Sequence, residues 1–518
     1  MDRPQNAMRS NMQTAQTPRV IVIGGGLSAT SFAVQLLRRA RHPLKITMLE
    51  PRKHLGRGLA YSATDPDHRL NAPLDVHWID PDKPLELREW CEANGVFDSD
   101  PGCLTSNGHV FLRRSDLGEY LSSRLQPYMD EGATSGIRHV QATAVSATCE
   151  KGIYKVQTDN QGEVVGDMLV VATGNPAPSL RAPFTAEQAL DERIISNPLA
   201  PGVLSSIPVS ARVLVVGSGL TSLDIVSTLV RRNHAGEVLV ISRRGFRPRA
   251  QSPGVLTAAP RPIVLSTVVP DFLQGVPLSA AAWSRALHKE IRRQAAHGQS
   301  WHMTFDAVRD VVWKLWPQLP TPEKIRFLRR LRLFYDVHRF RTPPMNEALV
   351  ARAEELGAVR YAAATLKRVT TTRSSLSVDL ADGASTRSEQ FDYVVNCTGL
   401  DSAAAWRSNP LLHSMMQSGL LRLHPIGIGF DVDENCQAFQ EGRTSEPTLR
   451  VIGPPTSGAF GDPLAIPFIA NQVHRVMPDV LKTLSLMQID NYMRKSQVTQ
   501  AEAASGGSAK VTDSDARA

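Results

Sequence analysis

The chain lacks most of the features that would mark a secreted, membrane-spanning or metal-bound protein. Its five cysteines (Cys91, Cys103, Cys149, Cys397, Cys436) lie scattered through 518 residues. No two have the spacing of a redox dithiol or a zinc knuckle, so neither is expected. A reduced, cytoplasmic setting is the economical expectation. No apolar run reaches the roughly 18 residues needed to cross a bilayer, and the stretch at 1–18 has no apolar core of a secretory signal. No membrane partner is therefore expected. His54, His68, His77 and His424 have no ligand partner at metal spacing, so structural roles are expected and no metal. Blocks of one charge are missing too. The net charge is +8 with a pI near 9.3, but Lys and Arg are dispersed. That argues against nucleic acid and suits a surface favouring small anions.

What is present is a pair of glycine turns. RVIVIGGGLSATSFAVQLLRRA (19–40) reads as buried strand, tight turn and amphipathic helix, with Gly24, Gly26 and Ala29 in G-x-G-x-x-A spacing. Gly24 permits the sharp turn, Gly26 lets a pyrophosphate approach the backbone, and Ala29 lets helix pack on strand. Ser28 lies in the first turn of the helix, whose N-terminus would face the phosphates. The next strand, LKITMLE, ends in Glu50, 26 residues after Gly24, where a carboxylate accepts ribose hydroxyls.

ARVLVVGSGLTSLDIVSTLVRR (211–232) repeats the pattern with Gly217, Gly219, Thr221 and Ser222. Its second strand carries Arg243 at the same 26-residue distance, followed by Arg244. A carboxylate there would repel a 2′-phosphate, whereas two arginines can bind one. The first turn is thus expected to take a dinucleotide with a free ribose, the second NADPH, or NADH less favourably. The alternative for the two arginines is a solvated strand end. VVATG and VVNCTG, ending at Gly174 and Gly399, each run from apolar strand to Thr-Gly and resemble crossings between two dinucleotide domains.

These segments together resemble the bacterial FAD/NAD(P)-binding proteins related to flavin-dependent monooxygenases, over roughly residues 19–480. The most specific pieces are GRGLAYSATDPDHRLNAPLD (56–75), FLRRSDLGEYL (111–121), VGSGLTSLD with ISRRGFRP, and VIGPPTSGAFGDPLAIPFIANQV (451–473). The resemblance implies FAD on Gly24, Gly26, Ser28 and Glu50, with Gly453, Asp462 and Ile466 near its flavin end. It brings Arg57, Gly58, Tyr61 and Asn71 toward flavin or substrate; the alternative for 56–75 is a loop stiffened by Pro66 and Pro73. No dithiol stands beside the flavin, and the Phe/Gly/His/Trp fingerprint of Baeyer–Villiger enzymes is missing before the second turn.

The expected fold is α/β, with two Rossmann-like dinucleotide-binding domains, one discontinuous and the other inserted in it. A tail at 1–18 precedes FAD-domain segments at 19–200 and 400–485. The NAD(P)H domain occupies 201–399, with a helical insert at about 265–345, and 486–518 is helix end and disordered tail. Trp283, Trp301, Trp313 and Trp316 gather in the insert, either as its core or in a cap over the flavin. Arg339 and Arg341, before a Pro-Pro stop, face an anion or form a solvated helix end.

The family implies an FAD-dependent, NAD(P)H-using monooxygenase that hydroxylates a small anionic substrate with O₂ through a flavin C4a-hydroperoxide. Urate, hydroxylated to 5-hydroxyisourate, is the most specific expectation. Arg57, Asn71 and Arg341 are the candidates for substrate contact. Two alternatives stay open: a reductase passing electrons to a protein or quinone, and a non-enzymatic flavin redox sensor.

Overall fold

The computed structural model describes residues 17–506, apart from 131, 177, 258–267, 384, 400–404, 443 and 463. The expected tails therefore fall largely outside the described residues, as does the start of the expected insert. Backbone alone is described for 490–506. Among the described residues no helix is long and apolar enough to cross a membrane.

The first unit opens with β1 (Arg19–Ile23), α1 (Leu27–Arg39) and β2 (Lys45–Leu49). It continues through α2 (Arg114–Leu125) and β3 (Gly136–Val140). An antiparallel meander of β4 (Ala144–Glu150), β5 (Ile153–Thr158) and β6 (Glu163–Gly166) then leads into β7 (Met168–Val171).

The second unit repeats this plan. After the short β8 (Ile194–Ile195) come β9 (Val213–Val216), α3 (Leu220–Arg231) and β10 (Val238–Ser242). The helical insert follows: α4 (Ala280–Ala296), α5 (His302–Gln318), α6 (Thr321–Arg330) and α7 (Arg332–Arg339). Then α8 (Pro344–Glu355) returns to the sheet as β11 (Val359–Ala363). A second meander, β12 (Thr365–Thr371), β13 (Leu376–Ala381) and β14 (Thr386–Phe391), precedes β15 (Tyr393–Asn396). The chain then re-enters the first unit through β16 (Gln437–Phe439), β17 (Ser445–Val451) and the long α9 (Ile466–Gly506).

The first sheet has six strands in the order β16-β17-β7-β1-β2-β3, and the second has five in the order β11-β10-β9-β15-β8. Apolar strands suit these mostly parallel sheets because both faces are covered; in the second, helices pack on one face and the β12–β14 meander on the other. Along β9 and β10, Val213, Val215, Val238 and Val240 enter one core, while Leu214, Val216, Leu239 and Ile241 enter the opposite one. In each sheet the order reverses beside the first strand, between β1 and β7 and between β9 and β15. Ligands of open α/β sheets bind in the crevice at such a reversal. Both glycine turns emerge there.

Candidate functional site

The two turns have nearly the same geometry. Gly24 and Gly217 have φ of +102° and +113°, a region that disfavours side chains. A Cβ on Gly24 would lie 2.6 Å from the carbonyl oxygen of Ala172, and one on Gly217 would lie 2.1 Å from that of Cys397. Those carbonyls begin the Ala-Thr-Gly and Cys-Thr-Gly segments, so each crossing presses on the glycine turn of its own sheet. Helices α1 and α3 begin after Gly26 (φ −87°, ψ −162°) and Gly219 (φ −85°, ψ −168°). Glycine carries no capping side chain, which leaves first-turn N–H groups for an anion.

At the first turn, Glu50 is buried and its Oε2 accepts the Gly25 N–H at 2.9 Å. Its Oε1 accepts from the backbone and guanidinium of Arg52 at 3.1 and 2.9 Å. A carboxylate has further lone pairs for ribose hydroxyls. Gly58 faces Gly26 across the turn: a Cβ on either would stand 3.0–3.4 Å from the other's Cα. Gly453 closes the far side, since a Cβ there would come within 2.2 Å of Ser28 Oγ. These residues fit the ADP half of FAD.

At the second turn, a cavity of about 1360 Å³ is lined by Gly217, Gly219, Thr221, Arg243 and Arg244, together with Gly174 and Gly399 of the two crossings. Residues 328–340 of the insert and 454–457 of the first unit complete it. Arg243 and Arg244 are exposed, and among the described residues neither is hydrogen-bonded or ion-paired. Among the described residues, the cavity walls carry six arginines and one carboxylate, Asp336, which Arg332 already binds at 2.7 and 2.8 Å.

The three substrate-contact candidates do not converge on this cavity. Arg341 is buried against Asp306 at 2.7 Å and packs over Trp301, because a guanidinium withdrawn from water needs its own counter-ion. Burial pulls its pKa below the usual range. Arg57 binds Glu119 at 2.6 Å, and the Asn71 carbonyl accepts from Gln251 at 2.9 Å. Tyr61 is half-buried, with burial pushing its phenol up to about 12. Asp462 binds Arg339 at 3.0 Å, both buried, which ties the end of α7 to the first unit just before Ile466 opens α9. Arg339 is therefore not a solvated helix end. Among the insert tryptophans, Trp316 is buried and donates to the Gly458 carbonyl at 2.8 Å. The insert thus packs on the first unit as well as lining the cavity.

Sequence reasoning missed a joint between the units. His68, in the 56–75 signature, contacts Thr228 Oγ1 at 3.3 Å, and Arg231 of α3 pairs with both Asp65 and Asp67. Arg114 of α2 binds the buried Asp224 of α3 at 2.6 Å. Arg69 is held by Asp100 at 2.7 and 3.0 Å. The polar part of the signature therefore docks the second unit. Its only sequence signal was the unusual density of Asp, His and Arg in a loop, and Asp224 inside an apolar helix. One further cluster, Asp80, Asp82 and His474, has the spacing of a cation site, but Arg39 reaches into all three.

Residues 21–176 match a family model described as FAD-NAD(P)-binding. No curated protein matches the chain by sequence. Among solved structures, the ornithine N-hydroxylase of Kutzneria sp. 744, determined with reduced FAD, NADP⁺ and L-ornithine, aligns with a TM-score of 0.60 and 15% identity. The alignment covers 91% of this chain and 99% of that one. The cadaverine monooxygenase of Erwinia amylovora, bound to FAD, gives 0.59 at 13% identity over 90% of this chain and 94% of its own. The ornithine hydroxylase of Pseudomonas aeruginosa gives 0.58 at 13% identity over 91% and 100%. The chain thus has the fold of these hydroxylases, two sheets each carrying its own glycine turn.

Proposed function

We propose that the protein is an FAD-dependent, NADPH-using monooxygenase acting on a small molecule. The observation that carries this reading is the pairing of two equivalent glycine turns with opposite charge after the second strand. Glu50 suits a free ribose, while the unpaired Arg243 and Arg244 suit a 2′-phosphate. When bound, FAD supplies the hydride acceptor and the oxygen chemistry. The chain's own residues hold the two nucleotides, orient them and exclude water. Gly24 and Gly26 form the first turn with Gly58 against it, and Gly217 and Gly219 line the cavity at the second. The insert, anchored by Trp316 and by the Arg339–Asp462 pair, roofs the space between them. The match of residues 21–176 and the fold of the amine hydroxylases support the same reading.

The finer reading is an anionic substrate, with urate the compound to test first. Its support is general: among the described residues of the cavity arginines outnumber carboxylates, so the field there favours anions, the nucleotide's phosphates included. The amines named for the structural relatives are cations, and among the described residues the cavity offers no unpaired carboxylate to a cation. Purified protein is tested for its flavin spectrum, then for NADPH consumption with urate, ornithine, lysine and cadaverine. Substrate-dependent consumption with stoichiometric hydroxylated product is the expected result. Consumption stimulated only by a quinone or ferredoxin overturns the hydroxylase reading, and stimulation by amines alone overturns the anionic one.

A further inference from the structure

We infer that the helical insert completes the NADPH site: Arg329 and Arg330 form, with Arg243 and Arg244, a four-arginine clamp on the adenosine 2′-phosphate. This rests on the reading of the second turn as an NADPH site and adds a second, sequence-distant wall to it. All four side chains line one cavity. All four are exposed, and among the described residues none has an ion-pair or hydrogen-bond partner. Neighbouring insert arginines behave differently: Arg326 binds Glu323, Arg332 binds Asp336, and Arg339 binds Asp462. The cations at the α6–α7 corner are therefore left without counter-ions where their neighbours have them. Four like charges around one space repel one another, and a dianionic phosphate relieves that repulsion.

Geometry decides which anion they meet. The Phe334 ring, early in α7, lies 5.6 Å from the Arg244 guanidinium carbon and 5.3 Å from the Phe246 ring. The corner is thus seated against the end of β10, where the 2′-phosphate is read. The other end of α7 holds Asp462 through Arg339, on the flavin side. Arg329 and Arg330, just before α7, accordingly belong to the adenosine end of the cavity. Leu333, exposed between them and Phe334, offers apolar surface to the purine.

The test is calorimetric titration of the flavin-loaded protein with 2′,5′-ADP, with 5′-AMP as the control that lacks the 2′-phosphate. The Arg329→Ala/Arg330→Ala double variant is expected to bind 2′,5′-ADP about tenfold or more weakly and 5′-AMP as the parent does. The Arg329→Lys/Arg330→Lys variant is expected to recover part of the loss. If the alanine double variant binds 2′,5′-ADP as tightly as the parent while Arg243→Glu does not, the clamp is overturned and the reading of the second turn stands. If the parent itself fails to distinguish 2′,5′-ADP from 5′-AMP, the NADPH reading and the clamp fall together.

Discussion

Two residues at equivalent places, Glu50 and Arg243, carry most of the functional information. Each follows the second strand of its unit, at the same distance from the first glycine of its turn. Glu50 is buried and engaged by backbone, whereas Arg243 is exposed and unpaired. Reversing the second charge tests the assignment. Arg243→Glu is expected to lower kcat/KM for NADPH relative to NADH by about 2–3 kcal/mol, the upper range for charged hydrogen bonds; steady-state kinetics with both nucleotides reads it. Gly26 offers a second probe. Its φ of −87° is open to alanine, and a Cβ there would meet the Gly58 backbone at 3.4 Å. Gly26→Ala is expected to melt close to the parent but to purify with little flavin, as absorbance shows.

At the scale of elements, the insert is the part with most work beyond its own core. Its helix α5 places Trp316 where the indole N–H meets the Gly458 carbonyl, and the ring packs on Gly461, whose φ is +85°. A Cβ at 461 would come within 2.9 Å of that ring, so the contact is close on both sides. Trp316→Phe keeps the apolar surface but leaves a buried carbonyl unpaired, a cost of about 1–3 kcal/mol. Urea unfolding is expected to show that loss. The looser roof is expected to raise the NADPH oxidised per molecule of product. Unchanged stoichiometry would assign Trp316 to stability alone.

The two units are held together at the scale of the whole molecule by buried polar groups, which make the joint sensitive to pH. Burial, and then the nearby Arg114, lowers His68 to about 4 from 6.5. Its contribution to stability is present above pH 6.5 and lost as pH falls toward 4. Burial raises Asp224 from 3.8 to about 7, against the pull of Arg114. Its contribution is present below pH 3.8 and lost as pH rises through 7. Asp65, Asp67 and Arg231 complete the charged surroundings. The two slopes oppose each other, so the parent is expected to be flat between pH 4 and 7. His68→Gln should leave stability falling as pH rises, and Asp224→Asn should leave it falling as pH drops. Each trend should amount to about 3–4 kcal/mol at full extent, readable from urea midpoints across the range.

The α/β class, the two glycine turns, their crossing segments and the charge swap were all legible in the sequence, because each is set within a short reach of chain. A positive φ needs glycine, a buried parallel strand needs an apolar run, and a strand end presents whichever charge follows it. Arg341 shows where that reasoning stops. Its position before two prolines suggested an anion site, but whether a guanidinium meets ligand or counter-ion depends on Asp306, 35 residues away. The docking of Asp65, Asp67 and His68 on α3 spans about 160 residues, and the approach of the α6–α7 corner to Arg244 spans some 90. Contacts of that range arise only when packed helices and sheets bring their surfaces together, and no local periodicity records them. The sequence by itself determined two nucleotide turns and the charge beside each; tertiary packing alone decided which arginines stay unpaired to face the cavity between them.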